Sequence, residues 1–270
     1  MAPATGADAA PGLLLMLLET RAPLEYMALL ASMPWLSRLP RGDGHPVIVF
    51  PGLGASDLST RPLRNFLRRR GYAPCAWGRG FNLGPRAGVL DHCRRLVTDA
   101  VQRQGQPVSL IGWSLGGIYA REIAKEQPTG VRCVITLGTP FSGHPRATNA
   151  WRLYERINGK VAHDEPFARQ LRTPPSCPTT SIFSRSDGIV AWRCSLNAGA
   201  PNTENIEVPA SHIGMGLNPL VLAVIADRLA QDPQHWQPFE VSGVRRFFFR
   251  LAPQASHPES AGGDPTRTAA

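Results

Sequence analysis

Short runs of β-branched and apolar residues alternate along this chain with longer stretches whose apolar positions recur at helical spacing. The short runs at 46–50 (Pro-Val-Ile-Val-Phe), 72–77, 107–112, 131–137 (Val-Arg-Cys-Val-Ile-Thr-Leu), 179–184 and 204–208 read as buried strands. Between them lie helical patterns. One runs from a cap at Ser59 or Thr60 to Arg70, with Pro62 in its first turn and Gly71 at its end. A second spans 86–104, with Val89, Cys93, Leu96, Val97 and Val101 near helical spacing, and others are expected at 118–126 and 218–229. Strand then helix, repeated, predicts an α/β fold with a mainly parallel central sheet flanked by helices. Sites in such sheets form beyond the carboxyl ends of the strands. The loops to inspect are therefore 51–57, 78–85, 112–117, 138–145, 185–190 and 209–214.

Three segments depart from this rhythm. Residues 1–40 form an N-terminal amphipathic helical segment, in which 11–38 read as one or two helices with Leu, Met and Trp35 on one side. The run Leu13–Leu18 does not read as a signal sequence, because no Lys or Arg precedes it and Glu19, Arg21 and Glu25 follow at once. It also falls far short of the roughly 20 apolar residues of a membrane span. The segment either packs on the domain surface or lies in a lipid interface. Residues 141–175 interrupt a main domain at 41–240 with two helices, near 146–157 and 165–171. Residues 241–270 hold the basic-aromatic stretch Arg245-Arg246-Phe247-Phe248-Phe249-Arg250 and then, after about 252, a polar tail expected to be disordered.

Composition narrows the function. With 270 residues, 43% of them hydrophobic, the chain can bury one large core. The formal charge is +9 and the pI about 10.0. Lys125 and Lys160 are the only lysines among 29 basic residues, so the other 27 are arginine. The basic residues form no stripe with interleaved aromatics, so nucleic acid is not an expected partner. A coding bias towards arginine, or attraction to an anionic lipid surface, explains the charge. The five cysteines form no C-x-x-C pair and no metal-ligand spacing, which points to reduced thiols in a cytoplasm and to no metal ion. A Cys177–Cys194 bridge is the alternative, because both flank one strand.

The chemistry starts at residues 112–117, Gly-Trp-Ser-Leu-Gly-Gly, which follow a strand and precede a helix. Glycines on each side of Ser114 remove side chains that would collide in a sharp strand-to-helix turn, and such a turn presents the serine hydroxyl at the sheet's end. A serine hydroxyl needs a base, and the base needs a third group to orient it. Asp187, in Ser-Asp-Gly just past the strand at 179–184, is the candidate acid; a plain turn is the alternative. Of the seven histidines, His212 lies in the loop after the last strand, where the order Ser, Asp, His closes in space. His144, after another strand, is its competitor, and His45 sits at the wrong edge of the sheet. Two backbone N–H groups must face the developing oxyanion. Leu115, after the serine, and Leu53, in Pro51-Gly52-Leu53-Gly54, are placed to supply them.

Phe-Pro-Gly-Leu-Gly at 50–54, Gly-Trp-Ser-Leu-Gly-Gly at 112–117, Leu-Gly-Thr-Pro-Phe-Ser-Gly at 137–143, Ser-Asp-Gly-Ile-Val at 186–190 and Ser-His-Ile-Gly-Met at 211–215 together resemble an α/β-hydrolase of the bacterial lipase/esterase type. The resemblance covers about residues 45–230. It implies the α/β-hydrolase fold and a serine hydrolase that cleaves carboxylic esters, lipid-like ones in particular, through an acyl-enzyme without a cofactor. Ser114 is then the nucleophile, Asp187 the acid, His212 the base, and Leu53 and Leu115 the oxyanion donors. Pro51 stands where many lipases carry histidine. The resemblance also makes 141–175 a small helical cap, whose Phe141, Trp151, Leu153, Tyr154 and Phe167 either line an acyl pocket or pack the cap, with Phe81 and Asn82 at its edge. A thioesterase or acyltransferase would use the same triad, and a non-catalytic binding protein would share the fold. The expected partners are a small-molecule ester or lipid and, at the cell's inner face, a peripheral membrane contact.

Overall fold

The computed structural model describes residues 9–159 and 165–253. Helices α1 (Leu13–Leu18), α2 (Ala22–Ala31) and α3 (Met33–Leu36) precede β1 (Pro46–Phe50). Then come α4 (Asp57–Arg69), β2 (Ala73–Ala76), α5 (Val89–Gln104), β3 (Val108–Trp113), α6 (Leu115–Glu126) and β4 (Val131–Leu137). The cap helices α7 (Trp151–Asn158) and α8 (Glu165–Arg172) follow, then β5 (Thr179–Phe183), β6 (Thr203–Glu207), α9 (Pro219–Leu229) and β7 (Arg250–Leu251).

Among the described residues seven strands form one sheet in the order β2-β1-β3-β4-β5-β6-β7. Every pairing is parallel except β6 with β7. Strands covered on both faces must be apolar on both, which is why β1 and β3 read as continuous apolar runs. Val47 and Val49 face a core shared with α4 and α9, through Leu63, Phe66, Val221 and Ile225. Ile48 and Phe50 face the opposite core, with Val97 of α5 and Tyr119 and Ile123 of α6. The sheet thus carries its helices in two layers and holds all the central strands' carboxyl ends on one side.

Several expectations need correction. α4 begins three or four residues early, capped by the Ser56 hydroxyl rather than Ser59 or Thr60, so Pro62 lies inside the helix. The reason is Asp57, whose carboxylate accepts the Trp77 and Gly78 N–H groups at 2.9 Å each and draws the helix start onto the β2 exit. In the cap, 145–147 is a separate 3-10 turn, cut from α7 by Thr148, which bridges to Val190. Cys177 and Cys194 form no bridge with each other, so the alternative pairing falls away. The basic-aromatic stretch after 240 joins the domain: Phe249 is buried against Phe239, with ring centroids 5.2 Å apart, and β7 adds the last strand of the sheet. The tail expected after about 252 lies, from 254 onward, outside the described residues.

The N-terminal segment divides its apolar residues between the core and solvent. Leu29 and Leu36 do join the core, but Leu13, Leu14, Leu17, Leu24 and Met27 are exposed while Glu19 and Glu25 are buried. Among the described residues no helix is long and apolar enough to cross a membrane.

Candidate active site

Ser114 follows β3 and caps α6, with φ 52° and ψ −121°, a left-handed conformation that costs a non-glycine residue about 1–3 kcal/mol. Two glycines make the bend feasible. A Cβ on Gly112 would lie 2.2 Å from the Gly117 Cα, and one on Gly116 would lie 2.4 Å from the Phe50 carbonyl oxygen. The second contact also shows that α6 starts directly against the loop leaving β1. That loop is clamped by Asn82, which is fully buried. Asn82 Nδ2 donates to the Pro51 carbonyl at 2.7 Å, its own N–H donates to the Ala55 carbonyl at 2.8 Å, and its carbonyl accepts the Gly54 N–H at 2.7 Å. Tyr119 of α6 donates its hydroxyl to Asn82 Oδ1 at 3.0 Å, so elbow helix and loop share one anchor. Asn82 is therefore no pocket-edge residue; it fixes the loop that carries Leu53.

Asp187 and His212 lie in direct contact. Asp187 Oδ2 lies 2.7 Å from His212 Nδ1. Asp187 Oδ1 accepts the Ile189 and Val190 N–H groups at 2.8 and 2.7 Å, which fixes the carboxylate in the turn after β5. Both residues are buried. The indole of Trp113 donates to the His212 carbonyl at 3.0 Å and ties the histidine loop to the residue before Ser114. Burial alone would depress the His212 pKa, but the Asp187 charge, its hydrogen bond and the Glu19 charge outweigh it and hold the pKa above the ordinary imidazole value. His144 instead turns Nδ1 to the Arg146 N–H at 3.1 Å and caps the 3-10 turn of the cap.

The same residue types meet once more, at the opposite edge of the sheet. Asp43 Oδ1 lies 2.5 Å from His45 Nδ1, and His45 Nε2 lies 2.8 Å from Ser109 Oγ. Ser109 is fully buried within β3 and is absent from the cavity wall. Burial lowers the His45 pKa despite its carboxylate, opposite to His212. This cluster satisfies polar groups inside the fold; only Ser114 stands on an elbow that opens to a cavity.

That cavity, about 320 Å³, is lined by Leu53, Ser114 and Leu115 on the sheet side. Phe141, Trp151, Tyr154 and Phe167 line it from the cap. Trp151 and Tyr154 stack at 6.3 Å. Two residues expected at the pocket lie outside it: Phe81 is 68% exposed and Leu153 is on the outer face of α7. Arg121 of α6, buried under Phe141 with its guanidinium 3.7 Å from the ring centroid, donates to the Arg172 and Thr173 carbonyls at 3.1 and 3.3 Å and moors the end of α8. Among the described residues no cluster of His, Cys, Asp and Glu could hold a metal ion.

Glu19, Arg21, Glu25 and Arg121 did not stand out as site residues in the sequence. Glu19, Arg21 and Glu25 are the only charges in residues 11–37, and charges kept inside an otherwise apolar helical run are the signal that could have marked them.

A model of the alpha/beta hydrolase family matches residues 47–270. Over 96 residues the chain is 27% identical to a pimeloyl-[acyl-carrier protein] methyl ester esterase of Legionella pneumophila, a match covering 36% of this chain and 38% of that protein. The crystal structure of Aspergillus fumigatus lipase B is similar with a TM-score of 0.55 and 19% identity, over 74% of this chain and 57% of that one. The monoacylglycerol lipase of Paleococcus ferrophilus is similar with a TM-score of 0.50 and 14% identity, over 71% of this chain and 96% of that one.

Proposed function

We propose that this chain, which belongs to the alpha/beta hydrolase family, hydrolyses lipid-like carboxylic esters through an acyl-enzyme on Ser114. The observation that carries the reading is the Asp187–His212 hydrogen bond of 2.7 Å, taken together with a strained elbow serine that opens on a largely apolar cavity. His212 Nε2 takes the Ser114 proton as Oγ attacks the ester carbonyl, and Asp187 steadies the imidazolium. The tetrahedral oxyanion accepts the N–H groups of Leu53 and Leu115. His212 then protonates the departing alcohol. Water, deprotonated by His212, attacks the acyl-serine and releases the acid. The test is covalent labelling with a fluorophosphonate probe, followed by a p-nitrophenyl ester series from two to sixteen carbons. Folded wild type should be labelled and should prefer chains long enough to fill the aromatic cap pocket. No labelling would sink the reading, and a strict preference for acetyl would remove its lipid-like part.

The outward apolar face of the N-terminal helices supports the same substrate class. Leu14 is 72% and Leu24 70% exposed, and contiguous apolar surface of this kind marks a contact site. Its only carboxylates, Glu19 and Glu25, are buried, while Arg38 and Arg41 are exposed. The Pro11 carbonyl accepts the Asn149 side-chain N–H at 3.0 Å, next to cavity-lining Thr148 and Ala150, so the face begins at the pocket rim. An uncharged-to-cationic surface suits an anionic lipid leaflet. The protein should co-sediment with phosphatidylglycerol vesicles more than with phosphatidylcholine ones, and the Leu14→Glu/Leu24→Glu double variant should stay in the supernatant. Equal sedimentation of both proteins would refute this contact.

A further inference from the structure

The N-terminal helices reach the two loops that hold the acid and the base. Glu19 Oε1 accepts the Gly188 N–H at 2.7 Å and the His212 N–H at 2.9 Å, and Oε2 accepts the Ile213 N–H at 2.9 Å. Arg21 donates to the Ser186 carbonyl and hydroxyl at 3.2 and 2.7 Å, on the other side of Asp187. Glu25 accepts the Ser211 N–H at 2.7 Å and the Asn218 side-chain N–H at 3.2 Å, and pairs with Arg21 at 3.2 Å. Residues on both sides of Asp187 and of His212 are thus gripped by side chains from another part of the chain. A carboxylate receiving three N–H donors is strongly held, and burial removes the water that would compete with it.

We propose that Glu19 is a positioning residue for the triad: it locks the acid and base loops into one register and, as a fixed negative charge behind the imidazole, joins Asp187 in stabilising the imidazolium formed during turnover. The proposal rests on the reading of Ser114, Asp187 and His212 as nucleophile, acid and base. Two roles combine in one group. The hydrogen bonds set where the His212 ring sits, and the charge sets how strongly it binds a proton. The charges acting on His212 are those of Asp187 and Glu19; Glu25 and Arg21 neutralise each other behind them.

The sign of the effect follows. His212 must be neutral to accept the serine proton, so activity rises with pH through its pKa. Asp187 and Glu19 both favour the charged ring and push that rise upward. Glu19→Gln keeps the size, removes the charge and turns one donor towards a backbone N–H. The acid limb of its kcat/KM profile on a p-nitrophenyl ester should move to lower pH by roughly half a unit or more. Its plateau should fall about tenfold or more, within the roughly 10²-fold that a 1 Å misplacement can cost. Glu19→Asp keeps the charge on a shorter arm, so its plateau should fall while its limb stays near that of wild type. A purely structural role would lower the amount of folded enzyme without moving the limb.

Labelling by fluorophosphonate separates the outcomes. If wild type is not labelled, the triad reading fails and this proposal with it. If wild type is labelled and folded Glu19→Gln shows the wild-type limb and plateau, the positioning role alone is overturned. Should Glu19→Gln not fold, Glu19→Asp decides: a wild-type plateau there overturns the proposal, and a lowered plateau with an unmoved limb supports it.

Discussion

His212→Ala is expected to lower kcat/KM on a p-nitrophenyl ester by about 10⁴-fold or more, and Ser114→Ala to abolish fluorophosphonate labelling with a comparable loss of turnover. The losses should not add, because serine and histidine act as one unit: the double variant should be about as slow as either single one. Both variants should remain folded. Ser114 leaves a conformation that alanine can occupy at similar cost, and His212 is held chiefly through its backbone, by Glu19, by Trp113 and by the flanking loop. The competing assignment is tested in the same assay. His144 caps a turn of the cap, so His144→Ala should leave the rate near wild type. A collapse of activity in His144→Ala with His212→Ala unaffected would assign the base to the cap and break the geometry argued from Asp187.

Much of this site was legible because each of its parts has local chemistry. The elbow is written in the glycines around Ser114. The strand ends that carry Leu53, Asp187 and His212 follow from the alternation of short and long apolar patterns, and the loops expected to hold the acid and the base bring Asp187 and His212 into contact. What was not legible depends on contacts between distant segments. Nothing near Ser59 reveals that Asp57 reaches the backbone after β2 and moves the helix start. Asn82 resembles a pocket residue in a glycine-rich loop until its bonds to Pro51, Gly54 and Tyr119 are seen. The N-terminal segment left domain packing and a lipid interface both open for a related reason: two carboxylates found backbone donors some 170 to 190 residues away, as the separations of 169, 186 and 193 show, and no local pattern reveals that the helices bury them. A hydrophobic pattern records how much apolar surface exists and not which polar group has the stronger claim on the interior.

The elbow itself predicts the largest structural effect of a single methyl group. In Gly112→Ala the new Cβ would meet the Gly117 Cα at 2.2 Å, the Gly117 nitrogen at 2.4 Å and the Gly116 carbonyl oxygen at 2.5 Å. All three are backbone atoms, so no side-chain rotation relieves the contact. Either β3 and α6 separate or the bend at Ser114 opens. Overpacking of this kind costs about 3 kcal/mol, which for a chain of this size lowers the thermal midpoint by roughly 6–12 °C. The bend also sets the Ser114 hydroxyl relative to His212 and the Leu53 loop, so the fraction that stays folded should be slowed by about 10²-fold, the scale of an ångström's misplacement. Gly12→Ala is the matched control, because a Cβ there meets nothing within 4 Å and the residue already has φ −67°. Thermal melts read the two side by side. A Gly112→Ala protein that melts and turns over like Gly12→Ala would mean that β3 and α6 are not held this close, and the strained turn would lose its place as the source of the nucleophile's exposure.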